Sequence, residues 1–273
     1  MNDELVPTAW WEAERYAYLA DLDGAGWAWE FLRRNTSYAA AYRQASISDL
    51  PRRQLNGPDL HIIEAPTVPT AATAWGLAYL ENPALSALDA SLFWDPDANP
   101  SVLTVHARPA VQSESDGIDL RRLPCKLHIL RRSDVEQVSI SDGRQSLQLD
   151  VQAGTVLDGP VVLDYQLDLL NETDSKLSSL QRLASLCRTG SFPPVRTGQR
   201  SARWFMALRA LDLANSGASQ REIAQTLFGA RLAEQDWRTR SDYLRNRVRR
   251  LIRLGLDLSE SGYRRLLAAR LFD

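Results

Sequence analysis

Cysteine, histidine and lysine are scarce in this 273-residue sequence, and each scarcity removes a class of protein. Two cysteines, Cys125 and Cys187, exclude a disulfide-stapled scaffold and a cysteine-rich zinc module. The three histidines, His61, His106 and His128, lie far apart, so no local metal-ligand spacing exists and neither metal nor cofactor is expected. No apolar run approaches the roughly 18 residues that a membrane span needs. The start, MNDELVPTAWWEAER, carries acids and lacks the apolar stretch of a signal peptide. The expectation is a cytoplasmic protein with no membrane partner. Catalytic signatures are missing as well: there is no Gly-rich phosphate loop with Lys-Ser/Thr, no HExxH, no GxSxG and no dinucleotide fingerprint. Triads assemble in space, so missing motifs argue against an enzyme without abolishing one. The reading is a non-enzyme.

What is present is ordinary globular composition, 44% hydrophobic and 24% charged. The chain is long enough for two domains. Its net charge of −2 hides an asymmetry. Residues 1–195 hold 16 Lys+Arg against 26 Asp+Glu, a balance of −10. Residues 196–273 hold 16 Arg, no Lys and 8 Asp+Glu, a balance of +8. A basic end on an acidic body suits a polyanion-binding module. Codon bias in a high-GC genome is the alternative for the preference for Arg, with 30 Arg against 2 Lys. It does not explain why half of the cations lie in the last 78 residues.

The periodicities predict an α+β protein in three parts. Residues 1–110 form an aromatic-rich, mostly helical module. Trp27, Phe31, Tyr38 and Tyr42 fall near helical spacing, 46–70 reads as loop, and 101–107 as a strand. From residue 119 the period changes to two. LPCKLHILRR, SDVEQVSISD, RQSLQLDVQAG and VVLDYQLDLL read as a small antiparallel sheet, followed by a helix on DSKLSSLQRLASLCRT (174–189) that stops at Gly190. Residues 196–273 read as a bundle resembling a helix-turn-helix. In it, 202–215 is the first helix, Ser219 and Glu222 make a capping box for the second, and Ser241 caps the third. Residues 230–240 read as a connector longer than a compact helix-turn-helix allows, with Trp237 as a packing anchor.

The third helix carries the functional argument. Stepping residues by about 100° puts Leu244, Val248, Leu251 and Ile252 on one face. Asn246, Arg249, Arg250 and Arg253 fall opposite, with Arg245 and Arg247 on the flanks. Arg contacts phosphates, and Arg and Asn read guanine and adenine edges in the major groove. A merely solvated face would usually mix charge signs, yet Asp242 is the only acid between Thr239 and Gly255, against six arginines. Arg240, and Gln220 and Arg221 at the start of the second helix, complete the expected DNA-binding set, the last two where a helix N-terminus favours phosphate. In the N-terminal module, Trp27, Trp29 and Phe31 are expected as core plus a protein-partner interface.

Several segments carry a family resemblance. WAWEFLRRNTSYAAAYR, WGLAYLENP and LFWDPDANPSVLTV resemble the N-terminal module of proteobacterial transcriptional regulators. LQLDVQAGTVLDGPVVLDYQL, LSSLQRLASLCRTG, REIAQTLFG and the pattern from Trp237 to Leu251 resemble the domain of unknown function 2285, a helix-turn-helix variant. Together they cover most of the chain. The resemblance implies a transcriptional activator of excision and transfer genes on integrative and conjugative elements. Its expected partners are double-stranded promoter DNA, RNA polymerase and a small antiactivator protein. Relatives carrying the second module alone bind the activator instead, so a protein-binding regulator that does not touch DNA is the alternative.

Overall fold

A computed structural model describes residues 16–45, 52–54, 59–65, 70–111, 117–132, 135–167, 173–195, 199–238 and 242–267. After a short 3-10 helix (Ala17–Asp21) come α1 (Gly24–Leu32) and α2 (Thr36–Gln44). Each starts on a side-chain cap: Asp23 accepts from the Gly26 N–H and Asn35 from the Tyr38 N–H. Strands β1 (Arg52–Gln54) and β2 (Leu60–Glu64) follow, then a one-turn helix α3 (Thr70–Thr73) and β3 (Leu103–Pro109). The region from 126 onward supplies β4 (Lys126–Arg132), β5 (Val135–Ser141), β6 (Ser146–Ala153), β7 (Val161–Gln166) and α4 (Thr173–Thr189). The C-terminal helices are α5 (Gln199–Asn215), α6 (Gln220–Phe228), α7 (Ala230–Arg238) and α8 (Tyr243–Asp257). A π-helical turn (Leu258–Gly262) then leads into α9 (Arg264–Leu267).

The α+β class holds, but the sheet is neither small nor wholly antiparallel. Among the described residues it has seven strands in the order β1-β2-β4-β5-β6-β3-β7. The β2–β4 and β3–β6 pairs are parallel and the others antiparallel. Strands on both sides of the expected 110–119 division therefore interleave: β2 pairs with β4, and β3 lies between β6 and β7. One face packs Ile129, Val138, Ile140, Leu149, Val151 and their neighbours against Leu183 and Leu186 of α4. The other face carries Ile63 and Leu130 beneath Tyr79 and Phe93 of the 76–94 segment. Gln148 pins that segment, donating to the Leu92 carbonyl at 2.7 Å and accepting from the Trp94 N–H at 3.1 Å.

A second core joins the two ends of the chain. Trp27, Trp29, Phe31, Leu32 and Tyr38 pack with Leu208 of α5 and with Leu258, Tyr263, Leu266 and Leu267. Trp27 meets Trp204 edge to face with ring centroids 5.7 Å apart. This corrects the expected partner interface: Trp27, Trp29 and Phe31 are at most 1% exposed, so none offers an anchor to another protein. Their helical spacing reflects a helix covered on every side by its own chain.

Candidate nucleic-acid interface

Helices α5, α6 and α8 form the C-terminal bundle around Ala207, Ala210, Ile223, Ala224, Val248 and Leu251. The second helix begins as its sequence dictates. The Ser219 side chain accepts from the Glu222 N–H, and the Glu222 carboxylate accepts from the Ser219 N–H at 2.7 Å. That reciprocal pair holds the Glu222 carboxyl below the usual carboxylate range. Gln220, half-buried, and Arg221, exposed, open this helix as expected.

Helix α8 has the phasing its sequence implies. Leu244, Val248, Leu251 and Gly255 are buried. Asn246, Arg247, Arg249, Arg250 and Arg253 are exposed. They are not equivalent. Arg245 is half-buried and paired with Asp242 at 2.6 Å. The Arg247 guanidinium stacks over the Phe228 ring at 4.4 Å, tying α8 to the end of α6. Arg249, Arg250 and Arg253 form no ion pair or side-chain hydrogen bond with another described residue. Arg240, Ser241 and the Trp237 side chain lie outside the described residues.

One element was missed. The expected connector at 230–240 contains α7, which starts directly after Gly229. Gly229 adopts a φ of +93°, which an L side chain rarely tolerates, and it alone separates the two helices. The signal was available: ARLAEQDWR is built of helix formers with Ala233 inward, and Ala233 is fully buried in the bundle core. Ile223, Val248 and Leu251 fill the bundle, while Trp204, Phe205 and Leu208 turn toward the N-terminal helices.

No helix among the described residues is long and apolar enough to cross a membrane, and no three His, Cys, Asp or Glu residues gather as metal ligands there. The bundle is thus a helical module that presents an arginine-rich helix face to solvent. Comparison with known families agrees with that class. Residues 163–268 match the model of a T6SS transcription factor DNA-binding domain. Residues 9–80 match a proteobacterial transcriptional regulator-like domain. Both are regulator domains rather than enzymes, and the pair suggests a DNA-binding transcription factor. No curated protein matches the chain at a significant level.

Proposed function

We propose that the chain is a sequence-specific double-stranded DNA-binding activator whose α8 enters the major groove as the last helix of a helix-turn-helix variant. The observation that carries this reading is the exposed face of Asn246, Arg249, Arg250 and Arg253. It opposes a buried face, and the three arginines have no ion partner among the described residues. Cations left unpaired on a rigid helix suit phosphates and base edges. Gln220 and Arg221 at the α6 N-terminus, together with Arg240, Arg245 and Arg247, would add phosphate contacts or orient α8. On the resemblance described above, the genes controlled are excision and transfer functions of a mobile element, and RNA polymerase and a small antiactivator are the protein partners.

Footprinting on DNA upstream of neighbouring genes, followed by affinity measurements across a salt series, tests the reading. Arg249→Ala and Arg253→Ala should leave the fold intact, because both side chains are exposed. A lost phosphate contact weakens all sequences alike and lowers the salt slope by about one; a lost base contact costs about 1–3 kcal/mol and relaxes specificity. Wild-type affinity in both variants would remove α8 as the reader. Salt-insensitive binding without promoter preference would favour the protein-binding alternative.

A further inference from the structure

On the sheet face that carries Ile63 and Leu130, the chain continues past Trp94 into Asp95-Pro96, and these residues border an open cleft of about 370 Å³. Strand register brings its floor together. Leu130 of β4 lies opposite Gln137 of β5, which lies opposite Asp150 of β6. Alternation along the strands then sets Arg132 and Gln152 on the same face. Under Phe93 this face is apolar, but at the cleft it carries the Asp150 carboxylate, a guanidinium and two carboxamides, and Asp95 adds a second carboxylate from the overlying segment.

These groups satisfy one another only in part. Asp150 and Gln137 are only 6% and 4% exposed. Burial, with Asp95 nearby, pushes the Asp150 carboxyl above its usual range, although Gln152 and Gln137 hydrogen-bond it and the Arg132 charge favours its ionised form. Among the described residues, none of Asp95, Asp150 and Arg132 forms an ion pair. Among the described residues, two buried polar atoms on the lining, Arg132 Nε and Gln137 Oε1, have no hydrogen-bond partner. Buried polar groups left unpaired are costly, and two at one cleft point to a missing occupant.

We infer that this cleft binds a small zwitterion of the α-amino-acid class, its ammonium held between Asp95 and Asp150 and its carboxylate on Arg132. The chemistry excludes the simpler occupants. Two carboxylates oppose a lone anion. The guanidinium opposes a metal ion, and no cluster of three metal-ligating side chains is found among the described residues. A ligand with both charges pairs all three groups. The volume lies near the lower end, about 300 Å³, of small-molecule sites, which suits an amino acid.

The test uses the full chain, with calorimetry and thermal unfolding against each standard L-amino acid at millimolar concentration. Methylamine and acetate serve as half-ligands. At least one amino acid should bind with one-to-one stoichiometry and raise Tm, and neither half-ligand should match it. Asp150→Asn and Arg132→Gln should each weaken binding by about tenfold or more. If Asp150→Asn impairs folding, Arg132→Gln, at a half-buried position, decides alone. The inference is overturned if no amino acid binds the wild-type chain, or if binding persists undiminished in the folded variants.

Discussion

Glu30 has no exposed side-chain surface, and it forms the centre of a charged network that the sequence did not disclose. Its carboxylate accepts from Arg33 Nε at 2.7 Å, from Arg34 Nη1 at 2.6 Å and from the Ala87 N–H at 2.8 Å. Arg34 reaches on to Asp212 of α5 with two bonds of 2.6 and 2.8 Å, and the Tyr16 hydroxyl donates to the same carboxylate. Burial pushes the Glu30 carboxyl up, but the two guanidinium groups and the amide outweigh it and hold it below the usual range. The folded pKa is therefore lower than the unfolded value of about 4.3. The network stabilises above that value, and its contribution disappears as pH falls through the folded pKa. Glu30→Gln should cost about 3 kcal/mol near neutral pH, because it leaves Arg33 without its buried counter-charge while Arg34 keeps Asp212. The difference from wild type should shrink in acid. Urea unfolding at several pH values measures both effects, and equal stability at neutral pH would contradict this account. Such pairs escape a linear reading because Arg34 and Asp212 are far apart in sequence. For the same reason Trp27, Trp29 and Phe31 were legible as an aromatic helix, while the chain that covers them was not.

Element by element, legibility followed local chemistry. The capping box at Ser219, the face of α8 and the strands β4 to β7 were readable because their signals lie within a few residues. β2 was not: LHIIE sits between prolines in a stretch read as loop, and a parallel partner more than 60 residues away makes it a strand. α7 was not legible because a single residue, Gly229 with its positive φ, separates it from α6, leaving no loop between the two helices. The approach of α8 to α5 shows what such a local reading leaves out. Gly255 faces α5 so closely that a Cβ there would come within 2.8 Å of the Ala207 carbonyl oxygen and 2.9 Å of Leu211 Cβ. Backbone cannot yield as a flexible side chain can, so Gly255→Ala must push the two helices apart. The overpacking should cost about 1–3 kcal/mol despite the gain in helix propensity. Because α8 carries the proposed reading face, DNA affinity should fall along with Tm, although residue 255 touches no DNA. A Gly255→Ala protein with unchanged Tm would mean that the helices are not in this close contact.

At the scale of the molecule, the charge split between the acidic body and the basic end invites the idea of two separable parts, binding at one end and activation at the other. The packing argues against it. A fragment beginning at residue 119 would lose α1 and α2, whose Trp27, Trp29 and Phe31 cover Leu208, Leu258, Tyr263 and Leu266. It would also lose polar ties across the same seam: Asn35 Nδ2 to the Ser259 carbonyl at 2.9 Å, and the Tyr263 hydroxyl to the Trp75 carbonyl at 3.0 Å. Removing β3 would separate β7 from β6, and removing β2 would bare the edge of β4. Each loss exposes apolar surface worth about 25 cal/mol per Å², set against a net stability of only about 5–15 kcal/mol for a typical protein. The fragment should therefore show no cooperative thermal transition by circular dichroism and no promoter binding, whereas the full chain should unfold cooperatively. Point variants provide the control: if Arg249→Ala weakens binding in a folded full-length chain, loss of binding in the fragment, which keeps Arg249, reflects lost structure rather than lost contacts. A fragment that melts cooperatively and binds the promoter as tightly as the full chain would show that the N-terminal helices are dispensable to the bundle.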